Sequence, residues 1–419
     1  MNQNGENEMK ATPVKGTNDY LPREVRIRDY LTRVILETYQ AGGFERITTP
    51  ILEDMENLNK SDGGENLGLI FKILKRGDKL RKALDEKQYE DLSDVGLRYD
   101  LTLPLSRYYA NNRSKLVLPF KCIQMDRVYR AERPQKGRLR EFMQCDIDII
   151  GSSSPDSEVE LIHTTTKALM ALGLRDFTVK VNDRRILHGI LSGAGFQEDE
   201  QDSVCIVFDK LDKIGADGVQ EELLEKGFDK EPVANLMKLL EKEEITLDTV
   251  EEICSKNPGI ENLRYIIDSV NAISQGAYQV VYDMSLVRGQ GYYTGTVFEV
   301  EAEGFRGAIA GGGRYDNLIG KFTKESIPAV GFSIGFERLF GILMEQDFKI
   351  PQQRKKVALL YGNGEFQNAL AKAEEFRSEY DVALFEKPKK VGKYLDRLKE
   401  QDYAYFYIMN QSEELNALD

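Results

Sequence analysis

Apolar side chains recur at helical spacing at Ile27, Leu31, Val34 and Ile35, behind Pro22 and up to Gly42-Gly43, and predict a long amphipathic helix. The next segment, FERITTPILE at 44–53, reads as extended, and Pro50 inside it points to a sheet edge or an interface. Residues 60–96 mix glycine with charge around one short strand at Phe71, Ile73 and Leu74. LRYDLTLPLSRYYA, at 97–110, turns from strand-like to helical, with Asp100 and Thr102 near the turn. From Arg127 to Gly151 the chain alternates, breaks at residues 133–137, and resumes with Leu139, Phe142, Ile147, Ile149 and Ile150. Strand, loop, strand is the pattern this predicts.

A helix opening at Asp156 or Ser157 closes at Gly173, and FTVKVND follows as a strand. From about 184 to 275, successive Glu- and Lys-rich helical patterns predict a helical insertion. Strands return at 278–304 and 306–322, and residues 328–346 pass from strand into a helix carrying Glu337 and Arg338. The glycines at 311–313 do not make a nucleotide P-loop, because Phe322 follows Gly320-Lys321 and Tyr315 stands where the first glycine belongs. Close backbone packing in a sheet explains them better. Residues 347–355 read as a linker, and beyond it VALLYG, VALF and YAYFYIM alternate with two helical stretches, which predicts a small parallel sheet at 356–419.

A chain of 419 residues suits two or three domains. A net charge of −13 and a pI near 5.0 argue against holding nucleic acid through overall charge, so any such contact must be local. One local patch exists: Arg130, Arg133, Lys136, Arg138 and Arg140 crowd into the loop after residue 129. Such a loop suits an anion, with a solvated hairpin tip as the alternative. Asp100 and Thr102 could receive an ammonium group or simply cap a helix. Cys122, Cys145, Cys205 and Cys254 form no CxxC, and His163 and His188 no HExxH, so neither zinc nor a disulfide framework is expected. With no long apolar run in the sequence, neither secretion nor membrane spanning is expected, and the cytoplasm is the default compartment.

Five motifs occur in order: KGTND at 15–19, YRAERPQKGRLREFMQ at 129–144, LVRGQGYYTGTVFE at 286–299, GGGRYDNLI at 311–319 and PAVGFSIGFERL at 328–339. Together they resemble the histidyl-tRNA synthetases, a family of class II aminoacyl-tRNA synthetases. The resemblance implies an α+β fold, an antiparallel sheet flanked by helices. A mobile tail at 1–14 would precede catalytic parts at 15–183 and 276–346, with the helical insertion between them and a shortened anticodon-binding-like α/β domain at 356–419. It also implies a homodimer formed through motif 1 at 44–53, ATP as substrate, Mg2+ at the pyrophosphate, and histidine and its tRNA as partners.

Carried over by position, Arg130 would meet the α-phosphate, Glu132 and Phe142 the adenine, and Arg138 and Arg338 the remainder of ATP. Arg288 would sit between the reacting carboxylate and the α-phosphate, opposing the repulsion of two anions. The histidine pocket would use Asp100, Thr102 and Gln144 at the amino group and Asp148, Tyr292 and Tyr293 at the side chain. A carboxylate on one ring nitrogen and a phenol on the other read both nitrogens and fix the tautomer. Arg133, Gln135 and Lys136 would meet the tRNA acceptor end. The Asp100 and Asp148 choices look more like the eukaryotic and archaeal branch of the family.

Two departures qualify the resemblance. Gln290-Gly291 stands where the family usually has Leu-Asp, and the C-terminal domain ends before the last strand and helix expected of it. The rival reading is the regulatory subunit of ATP phosphoribosyltransferase, which binds histidine without catalysis. A paralogue that adenylates histidine for an acceptor other than tRNA is a third. Arg130, Glu132, Arg288 and Arg338 occurring together favour the enzyme, because a sensor needs no ATP arginines.

Overall fold

The computed structural model describes residues 9–61, 67–134, 137–241, 245–254, 256–287, 292–305 and 307–418. They divide into two compact units, one of residues 31–345 with the N-terminal segment to Asp19, the other of residues 20–30 with 346–419.

The strands of the first unit are β1 (Glu45–Arg46), β2 (Leu52–Asp54), β3 (Lys72–Leu74), β4 (Ser93–Leu97), β5 (Phe120–Tyr129), β6 (Glu141–Ile150), β7 (Phe177–Asp183), β8 (Gln279–Tyr282), β9 (Thr296–Ala302), β10 (Ala310–Arg314) and β11 (Ala329–Gly335). Eight form one sheet in the order β1-β5-β6-β11-β10-β9-β7-β8, and β2-β4-β3 form a small second sheet. The expectation of an antiparallel sheet holds for the middle of the large one. At its two edges it needs correcting, because β1 runs parallel to β5 and β8 parallel to β7. The extended segment 44–53 is likewise broken, with β1 and β2 separated by residues 47–51 around Pro50, a residue that lacks the N–H a ladder needs.

The β5/β6 hairpin is the longest pairing, in register from Phe120↔Ile150 to Tyr129↔Glu141. Ile123, Val128, Ile147 and Ile149 are buried, as β-branched residues on a covered pleat should be. Helix Pro22–Ala41 buries Leu31, Ile35 and Tyr39 in one stripe at four-residue spacing. At the far end of the sheet the chain leaves β7 and passes through a run of helices, from Arg184–Ala194 to Pro258–Ser274, before β8. Asp183 starts that excursion: its carboxylate accepts from the Arg185 backbone N–H at 2.9 Å and forks with the Arg185 guanidinium. Asn271 ends it, its side chain donating to Val280 O and accepting from Val280 N–H.

In the second unit β12 (Lys356–Tyr361), β13 (Asp381–Glu386), β14 (Tyr403–Ile408) and β15 (Asn416–Ala417) lie in the order β13-β12-β14-β15. β12 is parallel to both neighbours, as the alternation of strands and helices requires, and β15 adds an antiparallel edge. Leu359, Ala369, Ala373 and Tyr407 form its core.

Candidate active site

Period two on β6 sends Phe142, Gln144, Asp146 and Asp148 to one side, where they border a cavity of about 380 Å3. Phe142 and Asp148 are six residues apart on that strand, about 20 Å at roughly 3.3 Å per residue, so the cavity has two separate ends.

At the Phe142 end, Arg130 is held by its neighbours. Its guanidinium carbon lies 4.3 Å from the Tyr99 ring centre and 5.1 Å from that of Phe142, and its Nε donates to Tyr99 O at 3.2 Å. Glu132 and Arg138 face each other at 3.5 Å across the loop. Arg140 ties that loop to the N-terminal segment, its backbone N–H donating to Gly16 O at 2.7 Å. Gly16 has φ +90, and a Cβ there would come within 2.7 Å of Pro134, so glycine suits both the backbone and the space. From helix Phe336–Glu345, Arg338 donates to Ala308 O, and Glu337 accepts from the Met143 N–H at 3.3 Å.

At the other end Asp100, Asp146 and Asp148 border the cavity together with Tyr292, Tyr293 and Tyr315. Tyr315 donates to Asp148 Oδ1 at 2.6 Å. Burial, with the Asp100 charge adding to it, pushes the Asp148 carboxyl up to about 7 against that hydrogen bond. Burial and the Asp148 charge likewise push Asp146 well above the usual carboxylate range. Burial keeps Tyr292 and Tyr315 as phenols at any ordinary pH. Tyr292 also hydrogen-bonds Thr102, and its ring lies edge-on to Tyr293 at 4.9 Å.

Glycine makes the floor. Gly331 on β11 lies opposite Asp148, and a Cβ there would fall 2.0 Å from Asp148 Oδ1. A Cβ on Gly313 would fall 2.8 Å from the Tyr293 ring, and one on Gly312 2.0 Å from Gly331 O. Arg314, closing β10, forks onto Glu158 of helix Asp156–Ala171 at 2.7 and 2.6 Å.

The cavity therefore gathers Asp100, Thr102, Arg130, Glu132, Arg138, Phe142, Gln144, Asp148, Tyr292, Tyr293 and Arg338. Arg133 is exposed and does not border it. Arg288, Gln290, Gly291, Gln135 and Lys136 lie outside the described residues. Sequence reasoning missed Asp146, Tyr315 and Ser333. The period of β6 could have found Asp146, which stands midway between Gln144 and Asp148. Ser333 and Tyr315 reach the site only through pairing with β6 and through packing. Chemically, one end suits a ligand with cationic and N–H groups, and the other suits a planar ring attached to an anion.

The histidyl-tRNA synthetase family model matches residues 16–339. The chain belongs to that family. It is 35% identical over 428 residues to the histidine–tRNA ligase of Christiangramia forsetii, covering 97% of this chain and 93% of that one. With the histidine–tRNA ligase of Leifsonia xyli it shares 42% over 345 residues, 79% of this chain and 80% of the relative. Among solved structures, a histidyl-tRNA synthetase from a Nostoc species superposes with TM-score 0.77 at 26% identity, covering 95% of this chain and 91% of that one. A Bacillus halodurans protein described as an ATP phosphoribosyltransferase regulatory subunit/histidyl-tRNA synthetase superposes at 0.76, covering 96% and 98% of the two chains. At 21% identity that likeness shows the fold alone.

Proposed function

We propose that this family member is a histidine–tRNA ligase. A histidine carboxylate oxygen attacks the α-phosphorus of ATP, the bond to the bridging oxygen breaks, and pyrophosphate leaves with the electron pair. The histidyl group then passes to the 3′ end of its tRNA. What carries this reading is the single cavity that joins the Asp148–Tyr315 end to the Arg130–Phe142 end, because adenylation needs both ligands in one space.

In this reading Asp148 and the phenols receive the imidazole, while Asp100, Thr102 and Gln144 receive the ammonium. Arg130 lies over the α-phosphate, fixed by two rings so that its planar fork is already aimed when charge develops. Glu132 and Phe142 take the adenine, and Arg138 and Arg338 the rest of ATP. Arg288 joins them on the strength of its sequence pattern. Mg2+ would arrive on the triphosphate: no group of three His, Cys, Asp or Glu gathers as a metal site among the described residues. Glu337 borders the cavity and would complete only part of its octahedral oxygen shell.

A homodimer through 44–53, acceptor-end contacts from Arg133, Gln135 and Lys136, anticodon contacts from the second unit and a cytoplasmic location complete the proposal. No described helix is long and apolar enough to cross a membrane. A histidine sensor would need only the Asp148 end, so the arginines sharing its cavity favour the enzyme. Histidine-dependent exchange of labelled pyrophosphate into ATP, followed by charging of histidine tRNA, tests this. Histidine binding with no exchange would replace it with the sensor.

A further inference from the structure

One polar atom beside the three carboxylates lacks a hydrogen-bond partner among the described residues. Gln144 Oε1 is buried with no hydrogen-bond partner among the described residues, a state that carries a free-energy cost unless a ligand relieves it. The other end of the amide is engaged, Nε2 donating to Ser333 Oγ at 3.4 Å. Ser333 Oγ in turn donates to Asp146 Oδ1. Strand register builds this chain, since Ser333 on β11 lies directly opposite Asp146 on β6, with Gln144 two residues along.

A hydroxyl has one hydrogen and two lone pairs. With its hydrogen on Asp146, Ser333 can offer Gln144 only a lone pair, and only the amide NH2 can meet it. The amide is thereby held with Oε1 as its remaining group, an acceptor. Flipped, it would present two N–H donors beside Asp100, Asp146 and Asp148, in a site arranged for a cation. An ammonium ion bound there favours the ionised form of Asp146, which can only accept, and so holds the Ser333 hydrogen in place.

We propose that Ser333 is a positioning residue for the substrate α-ammonium: by donating to Asp146 it locks the Gln144 amide so that Oε1 accepts from the ammonium N–H. The proposal rests on the histidine-activating reading and deepens it, assigning recognition of the amino group to a relay, Asp146 to Ser333 to Gln144, rather than to Gln144 alone.

Calorimetric titration of the full chain tests it with two ligands, histidine and 3-(imidazol-4-yl)propionate, which keeps the ring and the carboxylate but has no amino group. Ser333→Ala should weaken histidine by about tenfold or more and leave the analogue within about twofold, while Ser333→Thr, which keeps the hydroxyl, stays near wild type for both. Ser333→Cys, close in size with a weak donor, should shift in the same direction as alanine and carries the test should the alanine variant not fold. Unchanged histidine affinity in Ser333→Ala, or equal losses for both ligands, would overturn the proposal. The titration needs neither ATP nor turnover. A wild type that fails pyrophosphate exchange therefore rejects the ligase reading without touching this result, and a wild type that does not bind histidine rejects both.

Discussion

The hydroxyl of Tyr315 donates to Asp148 Oδ1 at 2.6 Å from a ring fixed in the apolar cluster of Leu105, Phe120 and Ile319. That bond opposes burial, the main force raising the Asp148 carboxyl. In Tyr315→Phe the carboxyl should rise further above 7, and since an imidazole N–H needs the ionised form, histidine binding should shift to higher pH. Calorimetry should find affinity about tenfold lower at pH 7 and largely restored at pH 9. An unshifted pH profile would mean that Asp148 does not receive the ring.

The same carboxyl makes stability depend on pH. Unfolded, it titrates near 4, and folded, at about 7. The folded state therefore holds the proton more tightly, and the contribution is fully present below about pH 4 and lost as pH rises through 7. Asp146 is raised for similar reasons, so the slope reports the pair. Asp148→Asn removes this loss. Without ligand its Tm should exceed wild type by a margin that grows from pH 5 to pH 8, read by thermal unfolding across that range.

Gly331→Ala places a methyl 2.0 Å from Asp148 Oδ1 and 3.3 Å from the Tyr315 ring. The carboxylate has to move. Histidine affinity should fall by about a hundredfold, with a stability cost of about 1–3 kcal/mol for the overpacked wall. Titration and denaturant unfolding read the two separately, and wild-type affinity would count against the pocket assignment.

Arg130→Lys keeps the charge and loses the planar fork between Tyr99 and Phe142. If the guanidinium works mainly as charge develops, adenylate formation should slow by about a hundredfold or more, while histidine affinity changes little. Single-turnover kinetics at saturating ATP and histidine give the comparison.

Arg314 and Glu158 form a buried forked pair that ties β10, with its three glycines, to helix Asp156–Ala171. Glu158→Ala leaves the buried guanidinium only Asp316 at 3.3 Å and the Ser152 and Ser154 carbonyls, and unfolding in urea should show a loss of about 3 kcal/mol.

Much of this site was legible because it lies within single strands and loops. Phe142, Gln144 and Asp148 share one face of β6 at even-numbered intervals, and Arg130 and Glu132 precede them on the same hairpin. Helix Pro22–Ala41 follows the periodicity that predicts it. Of the glycines at 311–313, read as close backbone packing, Gly312 approaches Gly331 O and Gly313 the Tyr293 ring. What the sequence hid is lateral. The Ser333–Asp146 and Gly331–Asp148 pairs exist only because β11 lies beside β6 in one register, across more than 180 residues of chain. No local pattern reports which distant strand that is. The parallel edges were hidden for the same reason, since propensity does not reveal strand direction.

The helical excursion between β7 and β8 is also a return path. Because β8 runs parallel to β7, the chain leaving Asp183 must travel back along the sheet before it can enter Gln279, and a tight turn cannot do that. Helix Pro258–Ser274 has 17 residues, about 25 Å at roughly 1.5 Å each, long enough to span a strand of this sheet. With Asn271 locking it to Val280, it is the segment that any shortened version of the protein has to keep, whereas the helices before it could vary in number without changing the topology of the sheet.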